Sequence, residues 1–99
     1  MIKVITICGS MRFIDEMEKE AERLTKLGYE VNLPIKNGKN KYTEFELEVI
    51  HRRKMSISDA ILVMNIGGYI GESTRKEIEF ARYACIDIFY KEATEDVKD

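Results

Sequence analysis

The sequence predicts an α/β domain: a doubly wound parallel sheet of about four strands, in the order 2-1-3-4, with three helices. Three observations lead there. Short apolar, β-branched runs alternate with longer segments of helical periodicity. Those runs are nearly unbroken, as in strands covered on both faces. Glycine-bearing breaks follow the first and third of them. Strands alternating with helices imply right-handed crossovers and therefore a parallel sheet.

Taken in order, Ile2 to Cys8 is the first strand and Gly9-Ser10 breaks it. From Met11 to Leu27, the residues Phe13, Ile14, Met17, Ala21, Leu24 and Leu27 recur at helical spacing, and Gly28 is the C′ stop. Tyr29 to Leu33 is a short strand ended by Pro34. The polar stretch Lys36 to Lys41 is a loop and, because it follows a strand, falls on the ligand side of the sheet. Thr43 to Ser56 reads as the second helix, with Phe45, Leu47, Val49 and Ile50 among its apolar positions. Ala60 to Asn65 is a buried strand, Ile66 to Gly71 a glycine-rich loop, and Ser73-Thr74 the start of a helix running to about Ala84. Ile86 to Tyr90 is the last strand. Residues 1–90 form the single domain, and 91–99 a charged tail expected to fray.

Composition narrows the function classes. A chain of 99 residues fits one domain, and 44% hydrophobic content with a single proline makes it globular rather than disordered. Its net charge of −2, with scattered cations, gives no basic stripe for nucleic acid, so none is expected as a partner. The longest apolar run is far shorter than a membrane span, and the Met1-Ile-Lys-Val start lacks a signal peptide's basic region and cleavage site. The expected location is cytoplasmic, with no membrane partner. Cys8 and Cys85 lie in apolar runs and read as buried thiols of a reducing compartment. Without a CxxC pair or a Cys/His cluster in the sequence, neither a metal nor another cofactor is expected.

Strand order 2-1-3-4 puts the topological switch between the first and third strands, and ligands bind outside the carboxyl ends there. Two constellations converge on that edge. In Cys8-Gly9-Ser10-Met11-Arg12, Gly9 lets backbone approach a ligand, and the following helix start suits an anion. Ser10 adds a hydroxyl and Arg12 a planar cation. The structural alternative is an ordinary turn, with Ser10 as N-cap and Arg12 in solvent. In the second, Gly67, Gly68 and Gly71 make a turn around Tyr69, and Ser73, Thr74 and Glu77 open the next helix. A carboxylate in that first turn can serve as nucleophile, base or hydroxyl clamp. Against this, Thr74-x-x-Glu77 matches a capping box that would occupy Glu77. The lone histidine, His51, heads the run Arg52-Arg53-Lys54, which ordinarily forms a wet helix face, and His51 could transfer a proton. Of the tyrosines, Tyr69 is best placed to stack on a base, ahead of Tyr42 and Tyr90.

These segments resemble the nucleoside 2-deoxyribosyltransferase-like superfamily, which includes the deoxynucleoside 5′-monophosphate N-glycosidases. The resemblance runs from Ile2 to about Tyr90 and rests on Cys8-Gly9-Ser10-Met11-Arg12 and on Ser58-Asp59-Ala60-Ile61-Leu62-Val63 with the loop and helix that follow. It implies a flavodoxin-like fold, a homodimer or larger homo-oligomer, and cleavage of the N-glycosidic bond of a deoxynucleoside or its monophosphate. It implies that Glu77 attacks the anomeric carbon, as in a retaining glycosidase, and that Gly9, Ser10, Met11 and Arg12 contact the nucleotide. Ser73 would add a hydroxyl near the sugar or phosphate. Where catalytic members carry an aspartate in the second helix, this chain has His51; where they place an aspartate or serine six residues before the nucleophile, it has Gly71. Those departures motivate the alternative of a non-catalytic nucleotide-binding or sensing module.

Overall fold

Residues 1–93 are described by the structure, a computed structural model. Four parallel strands stand in the order β2-β1-β3-β4: β1 (Val4–Cys8), β2 (Glu30–Asn32), β3 (Ala60–Val63) and β4 (Asp87–Tyr90). The helices are α1 (Ile14–Lys26), α2 (Glu44–Ser56) and α3 (Glu72–Tyr83). This is the doubly wound, flavodoxin-like arrangement that the alternation of elements predicts.

The pleat distributes the core between two faces. Ile7 of β1 and Met64, just past β3, pack with Met17 and Ala21 of α1. Cys8, Ile61 and Val63 point the other way, onto Met55 of α2 and Ile78 and Ala81 of α3. The register pairs Cys8 with Val63, so β1 and β3 end side by side. Two polar ties fix the ends of this central pair. The Asp59 carboxylate accepts the Lys3 and Val4 N–H groups at 2.8 and 2.9 Å, and these bonds, the Val4 one foremost, hold its pKa below the ordinary value. Thr6, fully buried in β1, lies 2.6 Å from the Ser58 hydroxyl, and both bond the Lys54 carbonyl. The end of α2 is thereby bound to the sheet.

Several boundaries differ from the sequence reading for local reasons. The segment from Met11 starts as a 3-10 turn (Met11–Phe13) before α1, because Phe13 N–H bonds the Ser10 carbonyl. Gly28, at φ +103°, ends α1 as expected, with Tyr29 N–H reaching back to the Leu24 carbonyl. Cys85 is exposed at φ +58°, a correction to its expected burial: it sits in the turn after α3, and only Cys8 lies in the core. Both cysteines are free thiols. The expected frayed tail also needs correction at its beginning. Lys91 N–H bonds the Val63 carbonyl at 2.9 Å, and Glu92 exchanges two hydrogen bonds with the buried Asn65 side chain. The remainder, 94–99, lies outside the described residues. Among the described residues, no helix is long and apolar enough to cross a membrane.

Candidate functional site

A cleft of about 550 Å³ opens where the chain leaves the carboxyl ends of β1, β2 and β3. Its size is that of a small-molecule site. Gly9, Ser10 and Met11 form one wall, and Pro34 and Ile35, after β2, continue it. Opposite stand Tyr69, Gly71, Ser73 and Thr74. The two glycine-bearing turns thus face one another across a single cavity. Helix α2 supplies the remaining wall, and His51 and Glu77 both line the cleft.

Each element places its residues for a local reason. A Thr43–Glu46 capping box starts α2: the Thr43 hydroxyl accepts Glu46 N–H at 3.1 Å, and the Glu46 carboxylate accepts Thr43 N–H at 2.8 Å. From that start, Glu44, Leu47, Glu48 and His51 recur at i, i+3, i+4 and i+7 along the cleft. Helix α3 begins at Glu72 with Gly71 as N-cap, three residues earlier than a Thr74 cap would begin it. Glu77 is therefore in the second turn rather than the first. The Thr74–Glu77 capping box does not form, and α3 has no side-chain cap. Thr74 is buried.

Glu77 instead meets His51 and Cys8. His51 Nε2 lies 3.7 Å from Glu77 Oε2 and 3.4 Å from Cys8 Sγ, and the three side chains' donor atoms lie within 4.8 Å of one another. Burial dominates their protonation. It raises Glu77 to a pKa of about 7, opposed by the Cys8 thiol and the Arg52 charge and aided by Glu48. It lowers His51 to about 4, with Lys54 adding to the effect. It pushes the Cys8 thiol well up, and the Glu77 charge pushes the same way. At neutral pH the imidazole is neutral, the thiol protonated and Glu77 close to half-ionised. The His51–Glu77 contact is accordingly not an ion pair there. His51 Nδ1 is buried without a hydrogen-bond partner. A carboxylic acid poised near neutrality at the edge of a cleft can attack, accept a proton or donate one.

The other sequence-predicted residues divide. Ser10 lines the cleft, yet its hydroxyl also accepts Arg12 N–H at 3.3 Å, the local turn bond of the structural alternative. The Arg12 guanidinium does not line the cleft; it lies 4.0 Å over the Tyr69 ring, which also meets the Phe13 ring in a T-shaped contact. Gly67 and Gly68 also stand outside the lining. Their positive φ values, +65° and +81°, shape the 3-10 turn Ile66–Gly68, and Gly67 N–H donates to the Glu92 carboxylate. Tyr42 and Tyr90 do not line the cleft.

The sequence reading missed Glu48, Arg52 and Lys54, all of which line the cavity. Arg52 stacks over Phe80, and its Nε is buried without a hydrogen-bond partner. Lys54 donates to the Leu33 carbonyl at 2.8 Å, and burial lowers its pKa. No signal in the sequence marks them, because the same polar recurrence describes a solvated helix face. Compared with models of known protein families and with curated protein sequences, the chain matches none.

Proposed function

We propose that this protein cleaves the N-glycosidic bond of a deoxynucleoside or deoxynucleoside 5′-monophosphate in the cytoplasm, or transfers the sugar to another base. Glu77 Oε attacks the anomeric carbon, the C1′–N bond breaks with its electrons leaving on the base, and the base takes up a proton. Water or a second base then opens the glycosyl ester. The neutral His51 imidazole, its Nε2 3.7 Å from the carboxylate, walls Glu77 on one side and holds it in line. The first turn of α3, uncapped and open to the cleft, offers N–H groups to a phosphate. Tyr69, held by Arg12, gives a ring at the rim against which a base can lie.

One observation carries this reading: Glu77 is released from capping and stands in the same cleft as the Gly9-Ser10 turn. A homodimer belongs to the same reading. Phe45, 73% exposed and next to the cleft-lining Glu44, is a residue that a second copy would cover. A second reading, a nucleotide sensor without turnover, is favoured by the pKa of Glu77, which leaves much of the carboxyl protonated and non-nucleophilic at neutral pH.

Incubation with deoxynucleosides and their monophosphates, followed by chromatography for free base, tests both. Base release by the wild type and none by a folded Glu77→Gln variant is the expected result. Binding without release supports the sensor, and equal release by Glu77→Gln refutes the nucleophile.

A further inference from the structure

Cys8, His51 and Glu77 come from three elements, β1, α2 and α3, and their donor atoms converge on one point. Two familiar explanations for such a trio fail on geometry. In a nucleophilic relay the imidazole would bond the thiol through one nitrogen and the carboxylate through the other. Here the same nitrogen, Nε2, faces both partners, and Nδ1 faces neither. A reactive thiolate also requires some exposure and a lowered pKa. Cys8 is fully buried and its pKa is raised.

Convergence of sulfur, imidazole nitrogen and carboxylate oxygen on one centre is what a tetrahedral metal ion requires. Zinc bonds of about 2.3 Å to sulfur, 2.0–2.1 Å to nitrogen and 2.0–2.2 Å to oxygen place neighbouring ligand atoms about 3.4–3.6 Å apart. The observed 3.4 Å between Cys8 Sγ and His51 Nε2 falls on those edges, the 3.7 Å between His51 Nε2 and Glu77 Oε2 is slightly longer, and all three donor atoms lie within 4.8 Å of one another, so small side-chain rotations close the set around an ion. The charges balance as well: a divalent ion with one thiolate, one carboxylate and a neutral imidazole is a neutral assembly, the form that a buried site tolerates best. The thiolate favours zinc or cobalt over magnesium or calcium. His51 and Glu77 line the cleft, so the fourth position of the ion faces a cavity able to admit water or a ligand atom.

We propose that Cys8, His51 and Glu77 form a three-ligand site for a thiophilic divalent cation, zinc or cobalt, at the base of the cleft. Binding releases the Cys8 proton to solvent and consumes the Glu77 carboxylate, so the metal-loaded chain cannot use Glu77 as a nucleophile. The unpartnered Nδ1 deprives the site of the outer hydrogen bond that usually orients a ligating histidine, a loss typically worth 10–100-fold in affinity. The site is therefore a reversible one. It does not depend on the glycosidase reading.

Cobalt(II) titration of the full chain, stripped with chelator and kept reduced, tests it. The expected spectrum shows intense visible bands of tetrahedral cobalt and a sulfur-to-cobalt charge-transfer band, saturating at one ion per chain. Excess zinc removes both, and pH-stat measurement registers proton release on binding. Cys8→Ser abolishes the charge-transfer band, whereas Cys85→Ser retains it. Only the weak spectrum of aqueous cobalt in the wild type, or a band lost in Cys85→Ser, overturns the proposal. The wild-type and Cys85→Ser results suffice if Cys8→Ser fails to fold. Free-base release by the stripped chain is scored separately: a cobalt spectrum without base release upholds this site and refutes the glycosidase, and release without the spectrum does the reverse.

Discussion

Replacing Glu77 with glutamine should stabilise the protein in mildly alkaline solution and lose that advantage in acid. The carboxyl ionises near 4.5 when solvated and at about 7 in the fold, because burial disfavours the anion. The folded chain holds this proton more tightly than the unfolded chain. Its contribution is therefore fully present below pH 4.5 and is lost as pH rises through 7. At roughly 1.4 kcal/mol per unit, the ionised carboxylate costs the fold about 3 kcal/mol above pH 7 relative to pH 4. Only 18% of the side chain is exposed, so solvent screening removes little of this. Glutamine has the same shape and no charge to desolvate. The difference in stability between Glu77→Gln and wild type should then widen by about 3 kcal/mol from pH 4 to pH 8. At about 4–8 °C per kcal/mol for a domain of this size, that is a widening of the Tm gap by more than 10 °C. Thermal unfolding followed by circular dichroism, with a chelator present throughout, measures it. His51, whose folded pKa is about 4, titrates with the opposite sign, its stability lost as pH falls from 6.5 toward 4. Both proteins carry it, so it drops out of the difference. A gap that stays constant, or closes with rising pH, would show that Glu77 is solvated or ion-paired and would refute the burial argument.

Four further outcomes follow from the same geometry. If Glu77 is the nucleophile, kcat/KM for base release climbs as pH rises through about 7, and a flat profile from pH 5 to 8 refutes that assignment. Arg12→Ala removes the cation over Tyr69, and steady-state kinetics should show KM rising by roughly 2–5-fold, equally for a monophosphate and its nucleoside, as the ring loses its support. A rise confined to the monophosphate would assign Arg12 to the phosphate instead. Gly9→Ala puts a Cβ 3.2 Å from Met64 Cβ and 3.4 Å from Met17 Sδ, and urea unfolding should register a loss of about 1–3 kcal/mol. Thr43→Ala deletes one half of the capping box of α2, and the same assay should show a loss of about 1 kcal/mol.

The sheet was legible because its two central strands are covered on both faces, which leaves β1 and β3 as nearly unbroken apolar runs with little ambiguity. Strand order followed from the alternation of elements and the handedness of crossovers, neither of which depends on exact boundaries. Boundaries failed where a single hydrogen bond decides them. Ser10 tightens the first turn after β1 into a 3-10 turn, and Gly71, rather than the Ser73-Thr74 pair, starts α3. That shift of three residues moves Glu77 from the first turn to the second and abolishes its capping box. Sequence reasoning cannot resolve it, because both starts satisfy the local pattern. Cys85 misled for a related reason: its apolar neighbours Ala84 and Ile86 end α3 and lead into β4, while its own backbone is the left-handed turn residue between that helix and that strand.

The cleft wall on α2 was illegible for a deeper reason. Periodicity analysis equates polar residues with water, so the row Glu44, Glu48, His51, Arg52 and Lys54 reads as the solvated side of a helix. Here much of that row lines a cavity instead. What separates the two cases is desolvation, which leaves no mark in composition: His51 and Glu77 have pKa values displaced toward their neutral forms, and His51 Nδ1 and Arg52 Nε are buried without hydrogen-bond partners. Each such group lowers stability relative to an apolar residue of similar volume. A fold of this size could fill the space between Cys8, Met55 and Ile78 with aliphatic side chains and be more stable for it. The positions where local rules are broken at a net cost are where a site is expected. In this protein they gather at one point, where the ends of β1 and β3 meet α2 and α3.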